Sequence, residues 1–187
     1  MKQLLESLVI RDAAPGDARQ IAEILVEDWQ TAYRGIIDSA YLDAMDVEER
    51  YRREVQRYRQ YVVASAGGEV LGFAWNELTG DGAADCEIVA LYVRYARRHC
   101  GVGKALFQHA LETFRAAGRK RMIVWCLRGN AEARRFYERM GGELYQTGTH
   151  PWGDRAYEMV SYLYHLDGAL SQQGPENPVR HGGRELP

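Results

Sequence analysis

The feature that most constrains this 187-residue chain is a strand that runs through a glycine-containing loop into an amphipathic helix. Residues 87–93 form a largely apolar run of strand length. A helix after the loop is indicated by apolar residues at helical spacing, namely Leu106, Ala110, Phe114 and Ala117. Between strand and helix, Gly101 and Gly103 let backbone N–H groups approach a ligand closely. With the positive end of the helix dipole and the charges of Arg98 and Lys104, the segment predicts an anion cradle suited to a pyrophosphate.

Two other glycine-rich phosphate motifs do not fit this segment. A P-loop requires GxxxxGK followed by Ser or Thr, whereas Gly103-Lys104 is followed by Ala105. A dinucleotide fingerprint requires a third Gly or Ala where this chain has Leu106, and no acidic ribose-binding residue follows the next strand, which runs into Leu127-Arg128. Taken alone, the glycine pair is equally compatible with a tight strand-to-helix turn that binds nothing.

The rest of the chain predicts one mixed α/β domain over residues 1–167. Strands are expected at residues 8–10, 61–66, 70–78, 121–126, 144–149 and 156–166. Helices are expected after Pro15 and after two N-cap residues, Asp46 and Asn130. Residues 168–187 contain seven Gly or Pro residues and three large apolar ones, so they are expected to form a disordered C-terminal tail without a catalytic part.

Cysteine, histidine and hydropathy patterns exclude several classes of protein. The three cysteines, Cys86, Cys100 and Cys126, have no CxxC spacing, which argues against a disulfide framework or a zinc ribbon. The five histidines show no metal-ligand spacing, so no metal is expected. The apolar runs are too short to cross a bilayer and the N-terminus does not resemble a signal peptide. A reducing cytoplasm is therefore the expected location.

The net charge of −2 conceals a strong asymmetry along the chain. Residues 94–139 hold 12 of the 24 lysines and arginines against three glutamates, a segment charge of +9, so the rest of the chain carries −11. A polyanionic ligand would explain this concentration of positive charge. A nucleic-acid-binding face is an alternative, although no recognition motif for nucleic acid accompanies the charges.

At this point the sequence resembles a known family. Arg98-His99-Cys100-Gly101-Val102-Gly103 matches the (Q/R)xxGx(G/A) signature of the GNAT superfamily, the acyl-CoA-dependent N-acetyltransferases. Leu91-Tyr92-Val93 is similar to the end of the family's fourth strand, and Asn130-x-x-Ala133-x-x-Phe136-Tyr137-x-x-x-Gly141 is similar to its second CoA motif. Trp29-x-x-x-Tyr33-Arg34-Gly35-Ile36 resembles a pattern of many bacterial members. The order and spacing hold over roughly residues 8–166.

The resemblance implies a fold and a cofactor site. The implied fold is α/β, a mixed and mostly antiparallel sheet with a splayed pair of parallel strands, flanked by helices. The implied co-substrate is acetyl-CoA, with its pyrophosphate on the backbone amides of Arg98–Lys104 and its pantetheine arm along the backbone of Leu91 and Val93. The cofactor residues so implied are Leu91, Tyr92, Val93, Arg98, His99, Cys100, Gly101, Val102, Gly103, Lys104, Asn130, Ala133 and Phe136.

The resemblance also assigns catalytic roles. Glu87 is expected to act as general base and Tyr137 as the acid that protonates the departing thiolate, with the Leu91 N–H as oxyanion donor. Strand alternation puts Glu87 on the same face as Leu91 and Val93. Two alternatives stay open: Glu87 as a solvated carboxylate at a strand end, and Tyr137 as a core aromatic.

The acceptor side is less constrained by the sequence. Trp29 and Tyr33 are candidate substrate-binding residues, although Trp29 also ends an apolar helical stripe and fits a core position. His150 and Trp152 are further candidates, expected in the last loop between strands. The expected activity is acetyl transfer to a small-molecule or peptide primary amine, without metal or membrane. The oligomeric state stays open between a monomer and a homodimer, the state of many members of the family. The alternatives are an acyl-CoA sensor without turnover and, less favoured, a nucleic-acid-binding protein.

Overall fold

The computed structural model describes residues 7–79, 82 and 84–167 of the chain. The first six residues of the predicted domain and the predicted tail, residues 168–187, lie outside the described residues.

The described strands form one sheet. They are β1 Val9–Asp12, β2 Tyr61–Ala66, β3 Glu69–Leu78, β4 Cys86–Val93, β5 Arg121–Leu127, β6 Glu143–Trp152 and β7 Arg155–His165. Their order in the sheet is β1-β2-β3-β4-β5-β7-β6, with β4 and β5 parallel and the pairs β1–β2, β2–β3, β5–β7 and β6–β7 antiparallel. The predicted fold class is therefore confirmed.

Helices flank this sheet. They are α1 Ala18–Ala32, α2 Ser39–Asp43, α3 Val47–Arg57, α4 Val102–Ala116 and α5 Ala131–Arg139, and 3-10 turns span Pro15–Asp17, Tyr58–Gln60 and Tyr95–Arg97. The predicted cap of α3 is confirmed, because the Asp46 carboxylate accepts a hydrogen bond from the Glu49 amide at 2.8 Å. The side chain of Asn130 likewise caps α5 by accepting from the Ala133 amide at 3.0 Å.

The chain divides into two compact units, with boundaries inside β3, β4 and α4. The described part of the first unit comprises residues 7–76 and 90–110. Its core contains Ala64, Leu71, Ala74, Val102 and Leu106, against which Leu91 and Val93 pack. The second unit comprises the described residues of 77–89 and 111–167.

In the first unit, Gly72 of β3 allows the first turn of α4 to lie close to the sheet. A Cβ at this position would lie 2.7 Å from the carbonyl oxygen of Tyr92 and 3.2 Å from the side chains of Val102 and Leu106. The next residue after β4, Arg94, is tied to β3 by its amide, which donates to the Leu71 carbonyl at 2.8 Å. These contacts determine where the loop between β4 and α4 begins and ends.

In the second unit, the parallel ladder between β4 and β5 is short. It pairs Cys86 with Met122, Glu87 with Ile123 and Ile88 with Val124. Beyond the last of these pairs, β4 continues for five residues to Val93, and β5 for three to Leu127. β4 and β5 are thus the parallel pair of strands that the family resemblance implies, with a ladder of three residue pairs.

Candidate active site

The glycine loop, residues 98–104, joins the end of β4 to α4. Arg98 is extended, with φ −62° and ψ 155°, and the next residue, His99, has φ +58°. Gly101 has φ +88°, a left-handed conformation that glycine adopts without the steric cost of a side chain. Helical hydrogen bonding then begins with the amide of Ala105, which donates to the Gly101 carbonyl at 3.0 Å.

This geometry suits an anion. The first amides of an α-helix have no carbonyl four residues before them, so the N–H groups at the start of α4 are not used by the helix itself. They lie at the positive end of the helix dipole and follow a loop turned by Gly101. Lys104 is exposed in the first turn. The arrangement therefore fits a phosphate or pyrophosphate group.

Arg98 makes contacts within the protein that the sequence analysis does not predict. Its amide donates to the Tyr95 carbonyl at 3.2 Å, and its guanidinium lies 5.2 Å from the centre of the Tyr95 ring. The guanidinium also forms an ion pair with Asp28, a buried residue of α1. The charge that the sequence assigns to the loop at Arg98 is thus balanced by a carboxylate that sequence reasoning missed.

Asp28 gives little signal in the sequence. It is an acidic residue on an amphipathic helix, and such residues usually face solvent. Its neighbour Trp29 is 3% exposed, which favours the core interpretation of that residue over direct contact with a substrate.

Trp29 belongs to an aromatic cluster with Tyr33 and Tyr92. The indole N–H of Trp29 donates to the Tyr92 hydroxyl at 3.0 Å, and the rings of Trp29 and Tyr33 meet edge to face at 5.0 Å. Burial raises the pKa of Tyr92 to about 12, although hydrogen bonds from Tyr33 and Trp29 oppose the shift. Tyr92 is therefore a neutral hydroxyl at physiological pH.

Glu87 lies in the paired part of β4 and is only 7% exposed. This burial excludes the alternative of a solvated carboxylate at a strand end. By alternation Glu87 shares a face of β4 with Leu91 and Val93, which lie beyond the last residue paired with β5. The strand thus carries a buried carboxylate and, beyond the ladder, the two residues predicted to bind pantetheine through their backbones.

Contacts of the Tyr137 carbonyl and ring hold this residue in the second unit. Its carbonyl oxygen accepts from the Tyr164 hydroxyl at 2.8 Å and from the Gly142 amide at 3.0 Å. Its ring centre lies 6.0 Å from that of Tyr162. The residue is 6% exposed, so both the catalytic and the core interpretations remain compatible with its position.

Tyr162 is itself fixed by side chains of α5. Its hydroxyl accepts from Arg134 Nε at 3.2 Å and donates to Glu138 Oε1 at 2.8 Å. Two tyrosines of β7, Tyr162 and Tyr164, therefore attach α5 to the sheet of the second unit. Sequence analysis did not identify them, because each resembles an ordinary strand aromatic.

The hairpin of β6 and β7 corrects one prediction. His150 and Trp152 were expected in a loop, but both lie in β6, because pairing continues to Trp152 opposite Arg155 and only Gly153 and Asp154 form the turn. The two rings lie 4.4 Å apart on one side of the strand, and Trp152 is 9% exposed. They form a fixed aromatic pair rather than mobile loop residues.

Within residues 7–79, 82 and 84–167, no three or more His, Cys, Asp or Glu side chains are grouped so that they could hold a metal ion. Over the same ranges, no helix combines the length and the apolar character needed to cross a membrane.

Comparison with known proteins identifies the family of this chain. A sequence model of the acetyltransferase (GNAT) family matches residues 19–142, which include the glycine loop, Glu87 and Tyr137. The chain belongs to the GNAT family. As a member of this family the chain is an acyltransferase, which confirms the enzyme class predicted from the sequence.

Curated GNAT relatives are similar over most of the chain. A probable N-acetyltransferase of Mycobacterium tuberculosis is 32% identical over 70% of this chain and 76% of its own length. An uncharacterized N-acetyltransferase of Archaeoglobus fulgidus is 33% identical over 68% of this chain and 88% of its own length.

Solved GNAT structures share the fold. The PaiA N-acetyltransferase of Thermoplasma acidophilum, solved in complex with coenzyme A, has a TM-score of 0.66 at 21% identity and covers 84% of this chain and 99% of its own. The acetyltransferase YncA of Salmonella typhimurium, described as putative and solved with acetyl-CoA, has a TM-score of 0.64 at 21% identity and covers 89% of this chain and 98% of its own.

Proposed function

We propose that this chain transfers an acetyl group from acetyl-CoA to a primary amine by direct attack in a ternary complex. The observation that carries the proposal is the glycine loop, in which a left-handed Gly101 precedes the first turn of α4. Such a loop offers N–H donors at a helix N-terminus to a pyrophosphate. Family membership and the two ligand-bound structural neighbours identify acetyl-CoA as the pyrophosphate ligand with the best support.

The described residues fit the other parts of this co-substrate. Leu91 and Val93 follow the point where the β4–β5 ladder ends, so their main-chain groups can serve a bound arm instead of a neighbouring strand. Asn130, Ala133 and Phe136 stand at the start and on the body of α5, where the family resemblance assigns contacts to CoA. When bound, acetyl-CoA supplies the acetyl group as a thioester.

Three groups of the chain serve the chemistry in this proposal. The Glu87 carboxylate accepts the proton that the ammonium form of the acceptor must lose before it attacks. The Leu91 N–H donates to the oxyanion that forms at the attacked carbonyl. The Tyr137 hydroxyl gives a proton to the departing thiolate.

The charges of the described residues favour this function over nucleic-acid binding. Several arginines of the basic segment have a carboxylate within 4.0 Å, among them Arg94, Arg97, Arg98, Arg128 and Arg134. A face that binds nucleic acid needs cations available for phosphates along its surface. Pairing with the chain's own acids lowers the charge that this segment can offer.

The proposal is tested with acetyl-CoA and purified protein. Acetyl-CoA should raise the melting temperature, since a ligand that binds only the folded state stabilises it. Addition of an amine should then release the thiol of CoA, and the amines tested are a polyamine, an aminoglycoside and a lysine peptide. A thermal shift without thiol release from any amine would favour the sensor alternative. No thermal shift at millimolar acetyl-CoA would contradict both, and steeply salt-dependent binding of DNA would favour the nucleic-acid alternative.

The cytoplasmic location remains a prediction, and the oligomeric state stays open. The location is supported by the three free cysteines, of which Cys86 and Cys126 are buried and Cys100 is half-buried. Burial raises the pKa of Cys86 and of Cys126 to about 12, so both thiols are protonated and unreactive at neutral pH.

A further inference from the structure

The glycine loop contains a non-glycine residue in the left-handed backbone region. His99 has φ +58°, the left-handed region that residues with a side chain rarely adopt. Such a conformation persists only where surrounding contacts determine it. The glycines of the loop cannot supply this constraint, because glycine restricts the backbone less than any other residue.

The residue immediately before His99, Arg98, makes contacts that constrain the loop. The Arg98 amide closes the 3-10 turn onto the Tyr95 carbonyl at 3.2 Å, and the Arg98 guanidinium lies over the Tyr95 ring at 5.2 Å. The same guanidinium is ion-paired with Asp28, whose side chain is 8% exposed. Of these contacts, the pair with Asp28 joins the loop to another element of the first unit, helix α1.

We propose that Asp28 is a positioning residue for the glycine loop: by holding Arg98, it keeps the loop amides in the arrangement that binds the pyrophosphate of CoA. The inference rests on the proposed function, since it concerns the same ligand. Asp28 acts through Arg98 and makes no contact with the ligand itself. Its contribution is to binding of the diphosphate, with the chemistry at Glu87 and Tyr137 left unchanged.

A purely electrostatic role of Asp28 and a positioning role predict opposite changes in CoA affinity when Asp28 loses its charge. Asp28→Asn leaves Arg98 unbalanced, so a purely electrostatic role predicts tighter binding of a polyanion. Positioning predicts weaker binding, because the loop loses the charge-assisted contact that orders Arg98. The sign of the change in affinity therefore separates the two.

The structure offers a matched control in the same unit. Asp17 also pairs with an arginine, at 2.6 Å from Arg11; its side chain is 9% exposed, and that of Arg11 is 40% exposed. Asp17→Asn removes an ion pair of the first unit that involves no residue of the glycine loop. It reports how far general destabilisation alone affects CoA binding.

The experiment titrates CoA into the wild-type protein and both variants by calorimetry, at a temperature where thermal melts show all three folded. We expect Asp28→Asn to weaken binding about tenfold and Asp17→Asn to leave it near the wild-type value. Phosphorus NMR of bound CoA should show shifted pyrophosphate resonances in Asp28→Asn with the ribose phosphate resonance unchanged, an effect that a merely structural role does not produce.

Unchanged or tighter CoA binding by Asp28→Asn would overturn the inference, as would equal weakening by both variants. Should Asp28→Asn not fold, Arg98→Lys replaces it: the charge is kept but the guanidinium contacts are lost, so we expect weaker binding, and unchanged binding overturns the inference. Absence of CoA binding by the wild-type protein would refute the proposed function and, with it, the inference. CoA binding with normal affinity in every variant would refute the inference alone.

Discussion

At the scale of single residues, the position and burial of Glu87 bear most directly on the proposed chemistry. It is a carboxylate 7% exposed, within a strand whose later residues leave the ladder with β5. A buried carboxylate needs a reason for its desolvation, and proton transfer is one that the proposed chemistry supplies. The role is open to a direct kinetic test.

Glu87→Gln should lower kcat about 100-fold near neutral pH, because an amide cannot accept the proton of an ammonium ion. The loss should shrink as the pH rises towards the pKa of the acceptor amine, since the amine then loses its proton to water. The measurement is the pH–rate profile of both proteins with one amine acceptor. Glu143→Gln, which changes an exposed carboxylate of β6, is the control. A profile of the same shape for Glu87→Gln and wild type would remove Glu87 from the role of base.

Tyr137→Phe should lower kcat by about 100-fold with little change in CoA affinity. The contacts with Tyr164 and Gly142 are made by the Tyr137 carbonyl, so the substitution leaves them in place and should change the melting temperature little. Turnover, CoA titration and a melt are the three measurements, with Tyr145→Phe on β6 as the control. Normal turnover would support the core interpretation of Tyr137.

At the scale of elements, local sequence predicted most of the helices and strands. The Asp46 and Asn130 caps, the hairpin of β2 and β3 and the succession of strands along the chain all follow from turn chemistry and hydrophobic periodicity. The extent of β6 does not, because Pro151, Gly153 and Asp154 are typical of a loop, and only the pairing with β7 shows that the strand continues to Trp152. Nor does the short helix α2, whose N-cap Asp38 lies in a segment without clear periodicity.

The packing of α4 on β3 makes a prediction at this scale. Gly72→Ala should destabilise the protein by about 1–3 kcal/mol, because the new Cβ would lie 2.7 Å from a backbone oxygen, which has little freedom to move. CoA affinity should fall as well, since the first turn of α4 borders the glycine loop. Urea unfolding and CoA titration measure the two effects. Gly16→Ala is the control, because a Cβ there meets nothing within 4 Å. Wild-type stability of Gly72→Ala would contradict this account of the packing.

At the scale of the whole molecule, buried tyrosines couple stability to alkaline pH. Burial raises the pKa of Tyr92 from 10.0 to about 12, and it raises the pKa of Tyr61 and Tyr164 as well. Below pH 10.0 these hydroxyls are protonated in both the folded and the unfolded chain. Above it the unfolded chain releases protons that the folded chain retains, so stability must fall as the pH rises.

We therefore expect the free energy of unfolding to decrease between pH 10 and 12 by about 1.4 kcal/mol per pH unit for each of these tyrosines. Urea titrations across this range measure the slope. Exposed tyrosines such as Tyr95 should ionise near pH 10 without unfolding, whereas part of the rise in tyrosinate absorbance, that of the buried hydroxyls, should accompany unfolding. Constant stability over this range would contradict the burial of these hydroxyls.

The distribution of charge illustrates which properties of the protein the sequence determines and which the tertiary structure determines. The sequence by itself determined the succession of strand, glycine loop and helix, and with it the family, because periodicity and turn chemistry are local properties. It also placed +9 in residues 94–139, but it could not show where that charge acts. The tertiary structure decided this by pairing Arg98 with Asp28, 70 residues away, and Arg94 with Glu23 and Glu69. Ion pairs of this kind join residues that only folding brings together, so their effect on the glycine loop belongs to the fold and not to the local sequence.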